Sequence, residues 1–498
     1  MSVSIYIDSF GGNYVGAVAD GNKLIEYRIE KKDKTVAIGS VFKGKVENVL
    51  SGMQAAFINV GLERNGYLSA DDMLMDRAEL EGKIDLPDIS SLKEGEEIMV
   101  QAVKDPAGNK GVRLTTNLSF AGRYVVYMPT VDFVGISRKV TDEGERERLL
   151  KVAEGLRPKG QGIIIRTAGA GTNKSEIKRE IRFLVKMFKE IENVYEHGDA
   201  PSCVYEEGNL AFRLIRDVYS DEVEKVVVSD KEIFEKIKKY ASGVGGKLKS
   251  KLLFYDKKRD MFANYGLDAE VDKLLGNRVS LNNGAYLVID KTEALTVIDV
   301  NTGSYVGNDN LEDTVFNTNI LAAEEIARQL RLRNISGIII VDFIDMYDEG
   351  HREKVIEVLR NAVSDDRERC NVGGMTGLGL VEITRKKKRR ESVSMLLKPC
   401  PYCQGSGTIH SNDYTVMRIR TALLDLFADG YDNAVVDMNV EIAEYILAKN
   451  VLKKDIDQIF KGKRIYIIPH KTYHQHFFLI KGDNNKAMEV SDKAILLY

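Results

Sequence analysis

Apolar and polar residues alternate with a period of two over the first 35 residues, the signature of half-buried strands. Turn residues at Gly11-Gly12-Asn13 and Asp20-Gly21-Asn22 divide this stretch into a small antiparallel sheet. The same period recurs in short bursts across 36–117: Val41–Val49, Ala55–Val60, Tyr67–Leu68, Glu97–Lys104 and Gly111–Thr115. Breaks at Ser51-Gly52 and from Gly61 to Gly66 separate them, and a polar, loosely ordered excursion runs from Asp71 to Leu92. Five short strands in about 80 residues fit a small OB-type β-barrel.

The texture then changes. Residues 118–215 mix both periods, with helices predicted over Glu143–Gly155 and Ser175–Asn193 and a strand at Gly162–Arg166 between them. Residues 216–278 continue as α/β, and 279–399 hold the most regular pattern. There Ala285–Asp290 and Leu295–Asp299 read as neighbouring strands. Asp313–Arg333 reads as an amphipathic helix with Phe316, Ile320, Ala323, Ala327 and Leu330 on one face. Gly337–Asp342 is a further strand and Tyr347–Val363 a further helix, so strand, helix, strand predicts a parallel sheet with a right-handed crossover. A short link at 400–411 leads to a small α/β unit over 412–498. The fold class is therefore α/β and α+β, in several domains.

Composition changes this picture little. The 498 residues are 44% hydrophobic and 30% charged, which suits a globular chain of three or four structural units. The start, Met1–Asp8, lacks the basic and apolar regions of a signal peptide. The apolar runs fall far short of the ~20 residues that span a bilayer, so no transmembrane segment is expected. Four cysteines in such a length argue against a disulfide scaffold and for a reducing, cytoplasmic location. The net charge of −3 requires any nucleic-acid binding to come from local patches.

Candidate chemistry falls in five places. Asp299 and Asp342 end two apolar strands joined by one crossover helix, and adjacent parallel strands would bring their carboxylates together at the ligand-binding edge. Asn301, two residues on, would point to the same side. Two carboxylates and an amide oxygen are hard ligands suited to Mg²⁺, with Asp345 an accessory; strand-end aspartates also commonly cap helices. In the barrel, Phe57 and Tyr67 could stack bases while Lys43, Lys45, Lys104, Lys110 and Arg113 hold phosphates, or both rings could be core. Arg166–Thr172 is a Gly-rich turn leading into a helix, able to cradle phosphate or to serve only as a loop. Cys400-Pro-Tyr-Cys403 supplies half of a four-ligand Zn²⁺ site, to be completed by a second subunit; a redox pair or two ordinary thiols are the other readings. Cys203 and Cys370 stand alone, and His410 is near but unpaired. The basic run Arg385–Arg390 is either a solvated face or an RNA contact.

Taken in order, Gly52–Phe57, Ile165–Gly169 (IRTAG), Ile298–Gly303 (IDVNTG), Val341–Met346 (VDFIDM) and Cys400–Gly407 (CPYCQGSG) resemble the bacterial ribonuclease E/G family. The resemblance covers essentially the whole chain. It implies an RNase H-like subdomain split between 1–35 and 216–278, an S1 domain of OB type at 36–117 and a 5′-sensor region at 118–215. A DNase I-like catalytic domain at 279–399, a zinc link at 400–411 and a small domain at 412–498 would follow. By motif, Asp299 and Asp342 would hold Mg²⁺ with Asn301 assisting at the scissile phosphate. Arg166 and Thr167, helped by Arg385, would bind a 5′-monophosphate. Phe57 and Tyr67 would hold RNA with Lys104 and Lys110 near its path, and Cys400 and Cys403 would share Zn²⁺ across a homodimer or a dimer of dimers. Tyr67 departs from the family's more familiar Phe.

The expectation is thus a Mg²⁺-dependent endoribonuclease that cuts single-stranded, A/U-rich RNA, prefers 5′-monophosphorylated ends and leaves 5′-phosphate and 3′-hydroxyl. It would act in rRNA and tRNA processing and mRNA decay. The chain stops soon after the small domain, which argues against a degradosome scaffold. Two rival classes are a non-catalytic RNA-binding protein and a zinc-linked structural dimer.

Overall fold

The computed structural model describes residues 2–32, 38–73, 89–104, 111–244, 247–303, 311–364, 366–387, 391–484 and 493–497. Lys110, the end of the basic run (388–390) and most of the polar excursion after Asp71 therefore lie outside the described residues. The chain forms two compact units, Met1–Leu396 and Leu397–Tyr498.

The first unit opens with the expected meander, Val3–Phe10, Asn13–Asp20 and Lys23–Lys31, all antiparallel. Gly11, Gly12 and Gly21 turn it with positive φ, where a Cβ would clash with the backbone. Lys225–Val228 then joins Val3–Phe10 in parallel, and Leu252–Phe254 extends the same sheet. One sheet is thus built from segments some 190 residues apart in sequence, with two further sheets inserted between them. Helix Leu210–Val218 seals it so closely that a Cβ on Gly16 would fall 2.0 Å from Leu214 Cδ1.

The first insertion is a five-strand barrel: Val41–Leu50, Ala55–Asn59, Gly66–Ser69, Arg113–Thr115 and Glu97–Lys104, closed by pairing of the first strand with the last. Alternation decides its interior, where Val46, Ala56, Ile58, Leu68, Val100 and Leu114 meet. A strand that the hydrophobic pattern did not signal, Ser202–Tyr205, returns from the next region and pairs with Val41–Lys43. The second insertion is a four-strand sheet (Val134–Ile136, Gly162–Ile165, Val125–Met128, Phe120–Ala121) under helices Glu143–Leu156 and Lys174–His197. Both helices lie where periodicity placed them.

The largest sheet runs Arg278–Ser280, Tyr286–Lys291, Leu295–Asn301, Gly337–Asp342, Leu380–Arg385, Cys370–Met375. It is mixed rather than parallel as expected. Only Leu295–Asn301 and Gly337–Asp342 are parallel, joined through helix Leu311–Leu332; the other neighbours are antiparallel. The turn from Lys291 to Leu295 is too short for a crossover, so that pair must be a hairpin. Ile298, Val300, Ile339, Val341, Val381 and Ile383 form one face, in a core with Ala323, Ala327 and Leu330 of the crossover helix and Val355 and Leu359 of helix Glu349–Ser364. The opposite face, with Val297, Asp299, Ile340 and Asp342, is half-buried or exposed.

The second unit is a small α/β body: strands Phe478–Asp483, Asn433–Asn439, Arg464–His470 and Ile495–Leu496, with helices Asn412–Ala428, Val440–Lys449 and Lys453–Gln458. No described helix is long and apolar enough to cross a membrane.

Candidate functional site

The parallel pair in the large sheet sets Asp299 directly opposite Asp342. Because successive side chains alternate faces, both leave the face opposite the helices, and Asn301 shares that side. Asn301 Nδ2 donates to Asp299 Oδ2 at 2.7 Å. The Asp342 carboxyl is pushed above the usual range, first by burial and then by the charges of Asp299 and Asp345. The loop beyond Asp342 is latched by buried Asn319 of the crossover helix, which donates to Ile344 O at 2.8 Å and accepts from Ile344 N at 3.1 Å. The arrangement is an electronegative patch with mutual repulsion between carboxylates, which a dication would relieve. Two carboxylates, an amide oxygen and water form a donor set that fits Mg²⁺. Among the described residues no three His, Cys, Asp or Glu groups converge as a ready metal site.

On the barrel, Phe57 and Tyr67 are direct cross-strand neighbours with ring centroids 6.0 Å apart, edge to face. Both are half-buried on the outer surface, while Ala56, Ile58 and Leu68 point inward, so neither ring is core. The row continues through Arg113, paired with Tyr67, to exposed Lys104, paired with Arg113. Arg113 is tied to Asp72 at 2.5 and 2.8 Å. Lys45 is exposed. Lys43 is not available: it is buried, donates to Gly198 O at 2.9 Å and meets Glu97 at 3.0 Å.

Arg166 and Thr167 line a cavity of about 1730 Å³ whose walls also carry Arg123, Arg138, Lys139, Arg146, Arg367 and Arg369. Arg166 is aimed by Gly122 O at 2.5 Å and Asp217 at 2.9 Å. Burial alone would raise the Asp217 carboxyl, but Arg216 and Arg166 outweigh it and hold the group well below the usual range. Thr167 Oγ1 is 2.8 Å from Ser137 Oγ. Arg385, expected here, does not reach the cavity. It is 4% exposed and bonds Asp366 at 2.8 and 3.2 Å, Asn334 at 3.0 Å and Ile335 O at 2.9 Å, clamping the end of its strand. Arg367 and exposed Arg369, overlooked in the sequence, line the cavity in its place. Their only advance signal was an Arg-x-Arg before a strand.

In the second unit Cys400 is exposed and Cys403 half-buried, both free thiols. Backbone N–H groups of Gly407 and Gly405 hold the Cys403 thiol below its ordinary range, and positive φ at Gln404, Gly405 and Gly407 folds the turn beneath the sulfur. The turn favours a thiolate at Cys403, the form in which a cysteine ligates zinc. Cys203 and Cys370 belong to the strands Ser202–Tyr205 and Cys370–Met375 of the first unit. His410 packs against His476, with ring centroids 4.6 Å apart, while His474 stacks on Tyr402 at 4.1 Å.

The chain is similar to known proteins over most of its length. The family described as Ribonuclease E/G matches residues 119–388. Ribonuclease G of Escherichia coli (strain K12) is 37% identical over 468 residues, covering 93% of this chain and 96% of that protein. Ribonuclease G of Haemophilus influenzae is 37% identical over 473 residues with the same coverage. Ribonuclease E of Escherichia coli (strain K12) is 31% identical over 484 residues, covering 95% of this chain but 45% of that protein.

Proposed function

The chain belongs to the ribonuclease E/G family, and on that premise we propose that it is an endoribonuclease of the G type that hydrolyses single-stranded, A/U-rich RNA in the cytoplasm. Its substrates would be rRNA and tRNA precursors and messages undergoing decay. The observation that carries the reading is the in-register pair Asp299 and Asp342, with Asn301 beside it, on the face of the large sheet opposite helices Leu311–Leu332 and Glu349–Ser364. Asp299 and Asp342 would hold Mg²⁺, which when bound supplies Lewis acidity at the phosphate and a more acidic attacking water. Asn301 fixes the orientation of the Asp299 carboxylate through its amide and keeps its carbonyl oxygen for water or RNA. Asn319 holds the loop after Asp342, so the second carboxylate keeps its place.

The rest of the molecule would bind and orient the strand. Phe57 and Tyr67 offer outward ring surfaces on which bases stack, and Lys104 lies in the same row for phosphate. Arg166 and Thr167, with Arg369 rather than Arg385, would take a 5′-monophosphate in the basic cavity. Cleavage would leave a 5′-phosphate and a 3′-hydroxyl. Cys400 and Cys403 would share Zn²⁺ with a second copy of the chain, giving a dimer or a dimer of dimers. The fold names implied by the resemblance, RNase H-like, S1 and DNase I-like, are part of the same proposal.

The test compares cleavage of one A/U-rich single-stranded oligonucleotide bearing 5′-monophosphate or 5′-hydroxyl, with Mg²⁺, by the native protein and by Arg166→Gln. Faster cutting of the phosphorylated form, levelled in Arg166→Gln, is the expected result. RNA binding without cleavage of either substrate would replace this reading with a non-catalytic RNA-binding protein.

A further inference from the structure

Two buried polar atoms on side chains lining the basic cavity have no partner among the described residues: Arg123 Nε and the Tyr219 hydroxyl. They belong to one stack. The Arg123 guanidinium carbon lies 4.9 Å from the Tyr219 ring centroid and 4.8 Å from that of Tyr124. Tyr219 is only 4% exposed, so water does not serve its hydroxyl as it would at the surface. Burial, then the charge of Asp221, pushes that phenol up to about 12, which keeps it protonated and able to donate. Buried donors are nearly always matched, and an unmatched pair at a cavity wall points to a ligand that supplies the acceptors.

The stack is also held rigidly. Glu180, 2% exposed, accepts from Arg123 N, Tyr124 N and Val125 N at 2.6, 2.7 and 2.9 Å. A Cβ on Gly122 would fall 2.5 Å from the Glu180 carboxyl carbon, so this loop tolerates only glycine there. The Gly122 carbonyl accepts from Arg166 Nη1, which ties the neighbouring peptide to the proposed 5′-phosphate residue. Asp221 meets only the Arg123 Nη2, at 3.4 Å. The cavity, at about 1730 Å³, exceeds what one terminal phosphate or even a drug-sized ligand fills.

We propose that Arg123 and Tyr219 form a second phosphate subsite beside Arg166, which receives a phosphate oxygen at the 5′ end of the RNA. This rests on the cavity being the 5′-end site of the proposed nuclease. The shared chemistry is an anionic acceptor, drawn either from the linkage between the first two nucleotides or from the terminal phosphate itself.

Tyr219→Phe deletes one hydroxyl that has no partner among the described residues, so it separates ligand binding from structure. The full chain, as native, Tyr219→Phe and Arg123→Gln proteins, is titrated with adenosine 5′-monophosphate and with the 5′-phosphorylated dinucleotide pApU. Affinity is read by calorimetry and stability by thermal unfolding. Both variants should bind pApU more weakly, by about fivefold for Tyr219→Phe and at least about tenfold for Arg123→Gln. The melting temperature of Tyr219→Phe should be unchanged or higher. Loss confined to pApU identifies the internucleotide phosphate, and equal loss for the mononucleotide identifies the terminal one. Native affinity for both probes in Tyr219→Phe, or no binding of either by the native protein, overturns the subsite. Because binding is read without cleavage, a native protein that binds both probes but cuts no RNA would sink the nuclease reading and leave the subsite standing.

Discussion

Replacing Asp342 by Asn should make the protein slightly more stable and nearly inactive. Neighbouring strands run about 4.8 Å apart, and Asp299 and Asp342 are direct partners across that gap. Two unit charges at this distance repel by roughly 3.5 kcal/mol at an effective dielectric of 20 and about 0.9 kcal/mol in water. Both carboxylates are exposed, so the lower figure applies, and relief of about 1 kcal/mol should raise the melting temperature by roughly 2 °C. Asparagine is isosteric but removes the charge that would hold Mg²⁺, and the rate should fall by at least about 10²-fold. The pH dependence follows from the raised Asp342 carboxyl. A proton held more tightly in the fold than in the unfolded chain contributes stability fully below the ordinary carboxylate value near 4. That contribution disappears as pH rises through the folded value, so near neutrality the repulsion is fully developed. Added Mg²⁺ should therefore raise the melting temperature of the native protein at pH 7, less as pH approaches 4, and far less for Asp342→Asn at any pH. The assay pairs thermal unfolding, with and without Mg²⁺, with single-turnover cleavage of the 5′-phosphorylated oligonucleotide. Cleavage at the native rate by Asp342→Asn would refute the reasoning, and so would activity lost together with several degrees of stability.

Arg385→Ala should act on the fold rather than on 5′-end recognition. Breaking its buried pair with Asp366 should cost about 3–5 kcal/mol in denaturant unfolding; native stability combined with lost 5′-phosphate discrimination would return Arg385 to the cavity. Phe57→Ala should weaken single-strand binding by about 1–3 kcal/mol with little change in melting temperature, since the ring is only half-buried, whereas Tyr67→Phe should stay within about twofold. Cys400→Ser and Cys403→Ser should each lose bound zinc, measured by metal analysis, and shift the protein to monomer in sedimentation; a zinc-free protein that keeps its native assembly would show that the thiols do not link subunits.

Local signals and long-range placement are legible in the sequence to different degrees. Helix Leu311–Leu332 and the barrel strands were visible because each writes its own periodicity into adjacent residues. The acidic pair was legible for a related reason. A strand, a crossover helix and a second strand leave few topologies, and parallel neighbours with matching ends place Asp299 and Asp342 opposite each other. The mixed character of the sheet was less visible, since buried strands carry the same apolar run in either direction.

What periodicity and motif order determined by themselves was the inventory: which segments are strands or helices, that the chain carries a carboxylate pair, two aromatics in the barrel, a Gly-rich turn and a CxxC, and which family these resemble. Only the tertiary structure decided which of those residues face a common space. The N-terminal sheet closes across some 190 intervening residues, and strand Ser202–Tyr205 returns to the barrel, through contacts that no local window records. Arg385 and Arg369 are both arginines flanking strands, and nothing local separates them. A buried carboxylate, Asp366, captured the first because a buried charge must be paired, while the second was left on the cavity wall. Arg123 and Tyr219, 96 positions apart, became one stack only when Glu180 fixed the backbone between the sheet and its helix. Chemistry carried by neighbours in sequence can be read along the chain; chemistry that needs residues from several segments depends on long-range packing, which sums many weak contacts and is settled only in the folded molecule.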